Sequence, residues 1–154
     1  MNENKKLDIC YSLISKNNIL VLATQGNDGV HTSLMAYASS SDCREIYMVS
    51  SRNSRKCENI SLFPQVSLLI DDRDHKIRDR RHEIKALTIK GIYLPVEDKA
   101  EEKNILNHIS ESVPQIAAAF SGPENMVIRI KAESFQLLDG PENSFSYYLE
   151  SNVK

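Results

Sequence analysis

The chain has no long apolar run, no CxxC cysteine pair and no large excess of either charge. Each absence removes a class of function. A bilayer-spanning helix needs roughly 20 apolar residues in a row, and no stretch supplies them. The amino-terminal segment MNENKKLDICYSLISKNN is polar and broken by charge, without the apolar centre of a secretory signal. The three cysteines, Cys10, Cys43 and Cys57, are odd in number and lack metal-ligand spacing. They argue against a disulfide framework or a structural zinc site and for a reducing compartment. The formal net charge is -2, so no global field draws the chain to nucleic acid or membrane, and no basic stripe carries interleaved aromatics. Repeats and low-complexity linkers are missing too. The expectation is a cytoplasmic, globular, single domain over 1–154, with no nucleic-acid and no membrane partner. At 154 residues, 41% of them apolar, the chain is long enough to bury a core without staples.

What is present centres on Ile46 to Leu69, IYMVSSRNSRKCENISLFPQVSLL. It reads as strand, polar turn, short helix, strand. The strand Ile46–Ser50 ends in the hydroxyls of Ser50 and Ser51. Ser54, Arg55 and Lys56 then open a helix that must stop before Pro64. A helix start presents unpaired N–H groups and the positive end of a dipole. With Ser hydroxyls, a guanidinium and an ammonium beside it, the segment makes a phosphate cradle. A capped surface helix with two solvated cations fits the same residues.

The surrounding chain predicts a mainly β fold. Leu7, Cys10, Leu13 and Ile14 follow helical spacing, giving a helix from after Asn4 to Lys16. Ile19 to Thr24 is a short apolar run, and Asn27-Asp28-Gly29 marks a hairpin turn. From Val30 to Ala38 the chain alternates, with Val30, Thr32, Leu34, Ala36 and Ala38 on one face and His31, Ser33, Met35 and Tyr37 on the other. Ile46–Ser50 returns after Ser39-Ser40-Ser41-Asp42, so three successive strands read as a meander. Val66 to Ile70 continues the sheet. Asp71 to Glu83, DDRDHKIRDRRHE, mixes both charges as a solvated loop. Arg78, Arg80 or Arg81 in it is a second meeting point for an anionic substrate. Ile84 to Val96 is a long strand with Gly91 at a bulge or corner. Glu97 and Asp98 open a helix with Ala100, Lys103, Leu106, Asn107 and Ser110 along one side and Ile105 and Ile109 beside it. Ile116–Phe120 is a short helical piece. Met126 to Ala132 is a strand, Phe135 to Leu138 extends it or stands alone, and Phe145 to Leu149 adds an edge. The sum is six or seven antiparallel strands and two or three flanking helices, most simply closed as a small barrel.

The order of these pieces resembles the pyridoxamine 5′-phosphate oxidase-like family, the FMN-binding split barrels. The Asp-Gly turn, the strand ending in hydroxyls, Ser54-Arg55-Lys56 with Asn59, and Pro64-Gln65-Val66-Ser67-Leu68-Leu69 carry the resemblance. It implies a homodimer with FMN at the subunit interface and a small-molecule substrate. It implies that Arg55 and Lys56 hold the FMN phosphate, helped by Ser50, Ser51 and Ser54 with Val49 alongside. It also implies that the strand segment His31, Thr32, Ser33, Leu34, Met35 to Ala36 runs along the flavin ring. The oxidase proper has basic residues where this chain has His31 and Ala36, and a Gln where it has Ala86. The pattern therefore fits a shorter, divergent flavin-binding relative better than the oxidase itself.

Three activities follow as expectations. The first is an FMN-dependent oxidoreductase driven by a reduced nicotinamide or similar donor, with the cofactor doing the chemistry. The second is a flavin-binding or sensing protein without turnover. The third is a haem-binding relative, with His31, His75, His82 and His108 as axial ligands to choose among. No catalytic residue is singled out, and no metal site is expected.

Overall fold

The structure, a computed structural model, describes residues 2–73, 80–119 and 122–149. Alternation decides which row of each strand goes inside. In β1 (Ile19–Gly26) Leu20, Leu22, Thr24 and Gly26 are buried. Their partners on β2 (Gly29–Ala36) are Met35, Ser33, His31 and Gly29. The hairpin between them turns on Asn27 and Asp28, and Gly29 takes φ +118, a backbone region that side chains rarely adopt.

After β2 the chain passes through β3 (Ala38–Ser39), β4 (Glu45–Ser51), α2 (Arg55–Leu62) and β5 (Gln65–Asp71). It continues through a single 3-10 turn at Arg81–Glu83, β6 (Lys85–Tyr93), α3 (Lys99–Ser112), α4 (Pro114–Ala119), β7 (Asn125–Asp139) and β8 (Asn143–Tyr148). The first helix, α1 (Glu3–Lys16), is capped by the side chain of Asn2. All pairings are antiparallel, in the order β2-β1-β5-β6-β7-β4-β3, with β8 on β7. The sheet curls into a half-barrel filled by Leu20, Leu22, Ile46, Met48, Leu68, Ile70, Leu87, Ile89, Ile128 and Ile130, and Ile14 of α1 joins that core. The mainly β, antiparallel split-barrel expectation holds, with the two-residue β3 and a fourth helix added to the count.

Two local readings change and two open ones are settled. The run from Val30 to Ala38 is two strands, because the pairing partner changes from β1 to β4 at Tyr37. Its N–H donates to the Asn18 carbonyl at 2.9 Å and its buried hydroxyl to the Ile14 carbonyl at 2.7 Å. That satisfies a carbonyl in the last turn of α1. Second, the meander stops after β2: β4 pairs with β3 and β7, at the opposite end of the strand order. Third, α3 buries Ile105 and Ile109, with Val113 just beyond, against Tyr47, Val49 and Val127. Ala100, Lys103, Asn107 and Ser110 face out. Fourth, Met126 to Leu138 is one continuous strand. It pairs with β4 and β8 in succession along one side and with β6 along the other.

The bend expected at Gly91 is present: the β6–β7 register shifts between Lys90 and Gly91. A Cβ on Gly91 would lie 2.6 Å from both Ile130 Cγ2 and the Lys131 carbonyl oxygen. Of the charged loop, Arg80 pairs with Glu83, and residues 74–79, including His75 and Arg78, lie outside the described residues, as does Phe120. Among the described residues no helix is long and apolar enough to cross a membrane.

Candidate functional site

The site is assembled where β4 hands over to α2. Ser54 is the N-cap of α2; its hydroxyl accepts from the Cys57 N–H at 3.4 Å and donates to the Ser51 carbonyl at 2.7 Å. Ser50, buried at the end of β4, lies 3.4 Å from the Ser54 hydroxyl and accepts from Lys56 Nζ at 3.3 Å. Two hydroxyls, an ammonium and a helix N-terminus therefore converge. Ser51 contributes through its backbone. Val49, one residue earlier, points to the other side of the sheet and packs in the cluster beneath α3.

Arg55 leans toward the β1–β2 hairpin. Its Nη1 donates to Asp28 Oδ2 at 2.7 Å and lies 3.2 Å from His31 Nε2. The same imidazole nitrogen is 3.2 Å from Asp28 Oδ1. The His31 hydrogen bond, followed at a distance by the Arg55 charge, holds the Asp28 carboxyl below the ordinary carboxylate range. Arg55 and Asp28 are both more than half exposed, so their pair is weak as a stabilising contact and open to exchange.

The residues of β2 divide by row. His31, Ser33 and Met35 point inward, Met35 into the core. Thr32 and Leu34 point outward and are exposed, Leu34 at 72%. Thus Ser50, Ser54 and Lys56 come together as side chains, and Arg55 and His31 meet in a neighbouring group, while Met35 and Val49 pack in the core clusters and Thr32 and Leu34 face outward. Two groups join the site that the sequence motif leaves without a task. Asp28 reads as a turn residue, and its charge between two glycines is its only signal. Asn59, one helical turn beyond Arg55, is buried and donates from Nδ2 to Thr24 Oγ1 at 3.1 Å. This ties α2 to β1. A polar residue on the buried face of an amphipathic helix is the signal that marks it.

Elsewhere the chemistry is quiet. The three cysteines are free and buried, and burial pushes the Cys10 thiol up to about 11. Among the described residues no cluster of metal-ligating side chains forms. His82 is exposed near Glu83, and His108 lies with its ring 5.9 Å from that of Tyr47.

The family model described as pyridoxamine 5′-phosphate oxidase matches residues 10–139. The chain belongs to the pyridoxamine 5′-phosphate oxidase family. No functionally curated protein matches its sequence. Solved structures share the family fold at low identity. A haem-binding protein from Mycobacterium smegmatis is 14% identical with a TM-score of 0.76, covering 89% of this chain and 56% of that one, so this chain spans little more than half its length. The haem storage protein HutZ from Vibrio cholerae is 18% identical with a TM-score of 0.69, covering 94% of each chain. An FAD-binding protein from Mesorhizobium loti is also 18% identical with a TM-score of 0.69, covering 89% of this chain and 94% of that one. One fold therefore serves flavin and haem binders, and the choice between them rests on the site.

Proposed function

We propose that this member of the pyridoxamine 5′-phosphate oxidase family is an FMN-binding flavoprotein, an oxidoreductase acting on a small molecule with electrons from a reduced nicotinamide or similar donor. The observation that carries the reading is the convergence of Ser50, Ser54 and Lys56 at the start of α2, with Arg55 on the same helical turn but held toward Asp28 and His31. A phosphate monoester carries about two negative charges near neutral pH and offers three acceptor oxygens. Two cations, two hydroxyls and helix N–H groups match that demand in charge and in donor chemistry. His31 and Ser33, on the inward row of β2, lie on the route from the cradle along the strand. FMN supplies the electron transfer; the protein binds it, orients it and shapes the substrate pocket.

The same reading places the cofactor at a homodimer interface. Ile19, Val30, Leu34 and Leu69 are exposed at 53%, 74%, 72% and 36% on the outer face of β1, β2 and β5. The strand register gathers Ile19, Leu34 and Leu69 around Val21, which lies opposite both Leu34 and Leu69, while Val30 stands apart opposite Gln25. Apolar surface of this kind marks an interaction face.

The test is the visible spectrum of purified protein before and after addition of FMN and desalting. Flavin bands stay with the protein and are lost in the Arg55→Ala, Lys56→Ala double variant, and NADH or NADPH bleaches the bound flavin. Retention without reduction by any donor selects the flavin-binding role without turnover. A colourless protein that instead develops a Soret band with hemin, lost on substitution of one histidine, replaces the flavin reading with haem binding.

A further inference from the structure

The cradle contains its own anion. Asp28 faces Arg55 across 2.7 Å, within a set of side chains whose chemistry otherwise suits a phosphate. Its placement is built in. Asp28 is the second residue of a two-residue turn, between Gly26 and Gly29, which are paired to each other. Gly29 holds φ +118, and Gly26 is pressed against α2: a Cβ there would lie 2.5 Å from Asn59 Oδ1 and 3.1 Å from Asp28 Oδ1. The hairpin tip thus docks on the helix that carries Arg55 and Lys56, and the missing side chain at Gly26 allows the approach. His31 holds the other carboxylate oxygen.

We infer that Asp28 is a specificity-determining residue of the phosphoryl subsite, competing with the ligand for Arg55 and penalising a doubly charged terminal phosphate monoester more than a singly charged phosphoryl group joined to a second phosphate. The inference rests on the flavin reading above and deepens it. With Arg55 and Lys56 alone, the cradle presents two positive charges, matched to a phosphate monoester. With Asp28 included, the sum is one. A dianion must take Arg55 from Asp28 and then sit beside that carboxylate. A phosphoryl group joined to a second phosphate by an anhydride, as in FAD, carries one charge; it undergoes the same exchange but feels about half the repulsion, because the interaction scales with the product of the charges. Asp28 thereby lowers the affinity for FMN and narrows its advantage over flavins whose phosphate is part of a pyrophosphate.

The test compares wild-type protein with Asp28→Asn and Asp28→Ser by calorimetric titration with FMN, FAD and riboflavin at low ionic strength. Both replacements are residues that tight turns accept, and circular dichroism checks the fold. In both variants FMN binds about tenfold more tightly, a change of about 1.4 kcal/mol. FAD tightens by a smaller factor, and riboflavin, which has no phosphate, is unchanged. The FMN gain shrinks at high salt, as a charge effect must. FMN binding that is unchanged or weaker in the variants overturns the inference and leaves the flavin site standing. Equal tightening of FMN and riboflavin also overturns it, because the effect would then be one of shape. If none of the three flavins binds to any form of the protein, the flavin reading itself fails and this inference goes with it.

Discussion

Two helices pack on the curled sheet with different emphasis. α3 docks through Ile105 and Ile109, with Val113 after them, on an apolar floor of Tyr47, Val49 and Val127. Arg129 then clasps it, donating to the Glu101 carboxylate and, at 3.2 Å, to the Pro95 carbonyl. α2 buries Cys57 and Ile60 in the main core and adds directional bonds: Asn59 to Thr24, Lys56 to Ser50, Arg55 to Asp28. Apolar contact is tolerant of small displacements, whereas a hydrogen bond loses strength within a few tenths of an ångström or a few tens of degrees. Burial therefore suffices where a helix only covers the sheet. Hydrogen bonds are needed where the first turn must aim a guanidinium and an ammonium at one place.

If that contrast is right, the two helices fail differently. The largest effect is expected at Ile109, which is 1% exposed. Ile109→Ala costs about 2–5 kcal/mol in chemical denaturation, through lost transfer energy plus a cavity. FMN affinity of the protein that remains folded is unchanged. A parallel loss of affinity would show that α3 also shapes the site.

The reverse pattern belongs to Arg55→Ala and Lys56→Ala. Each lowers FMN affinity by about ten- to a hundredfold, the worth of one or two charge-assisted hydrogen bonds, as titration calorimetry reads it. The melting temperature barely moves, since the Arg55–Asp28 pair is exposed.

Asn59 joins the two behaviours. Asn59→Ala removes the partner of the buried Thr24 hydroxyl and costs about 1–3 kcal/mol. In the double variant Thr24→Val, Asn59→Leu the polar pair becomes an apolar one, and most of the stability returns. FMN affinity stays reduced, because the bond that fixes the roll of α2 on β1 is gone. Full recovery of affinity would mean that packing alone positions the cradle.

The smallest test compares the caps. Ser54 and Asp98 each accept a backbone N–H at the start of their helix, and alanine at either costs about 1 kcal/mol. Only Ser54→Ala is expected to weaken FMN binding, since only that hydroxyl belongs to the cradle. Equal effects of the two variants on affinity would remove the distinction between the helices.

How much of this was legible follows from range along the chain. The two faces of β2 are readable from alternation, since a strand's side chains change face at every residue whatever lies beside it, but which face goes inside is not. Ser54 as a cap, Pro64 as a stop and Gly91 as a bend are likewise local signals. The helix face of α3 was harder. Its exposed residues Ala100, Lys103, Asn107 and Ser110 follow the same period as its buried ones, and only the burial of Ile105 and Ile109 distinguishes the two sides. Asp28 and Asn59 were visible as residue types but not as members of a site. Their partners, Arg55 and Thr24, lie 27 and 35 positions away.

The sequence by itself therefore determined most of the elements, the two faces of β2 and the basic helix start, because these depend on stereochemistry and period within a few residues. Tertiary structure alone decided that Tyr37 splits a run of alternating residues into two strands, that β4 lies far from β2 in the sheet, and that a carboxylate from a hairpin tip sits against Arg55. Those outcomes depend on how the sheet closes. Closure is set by the sum of many distant contacts and leaves no mark on any one segment.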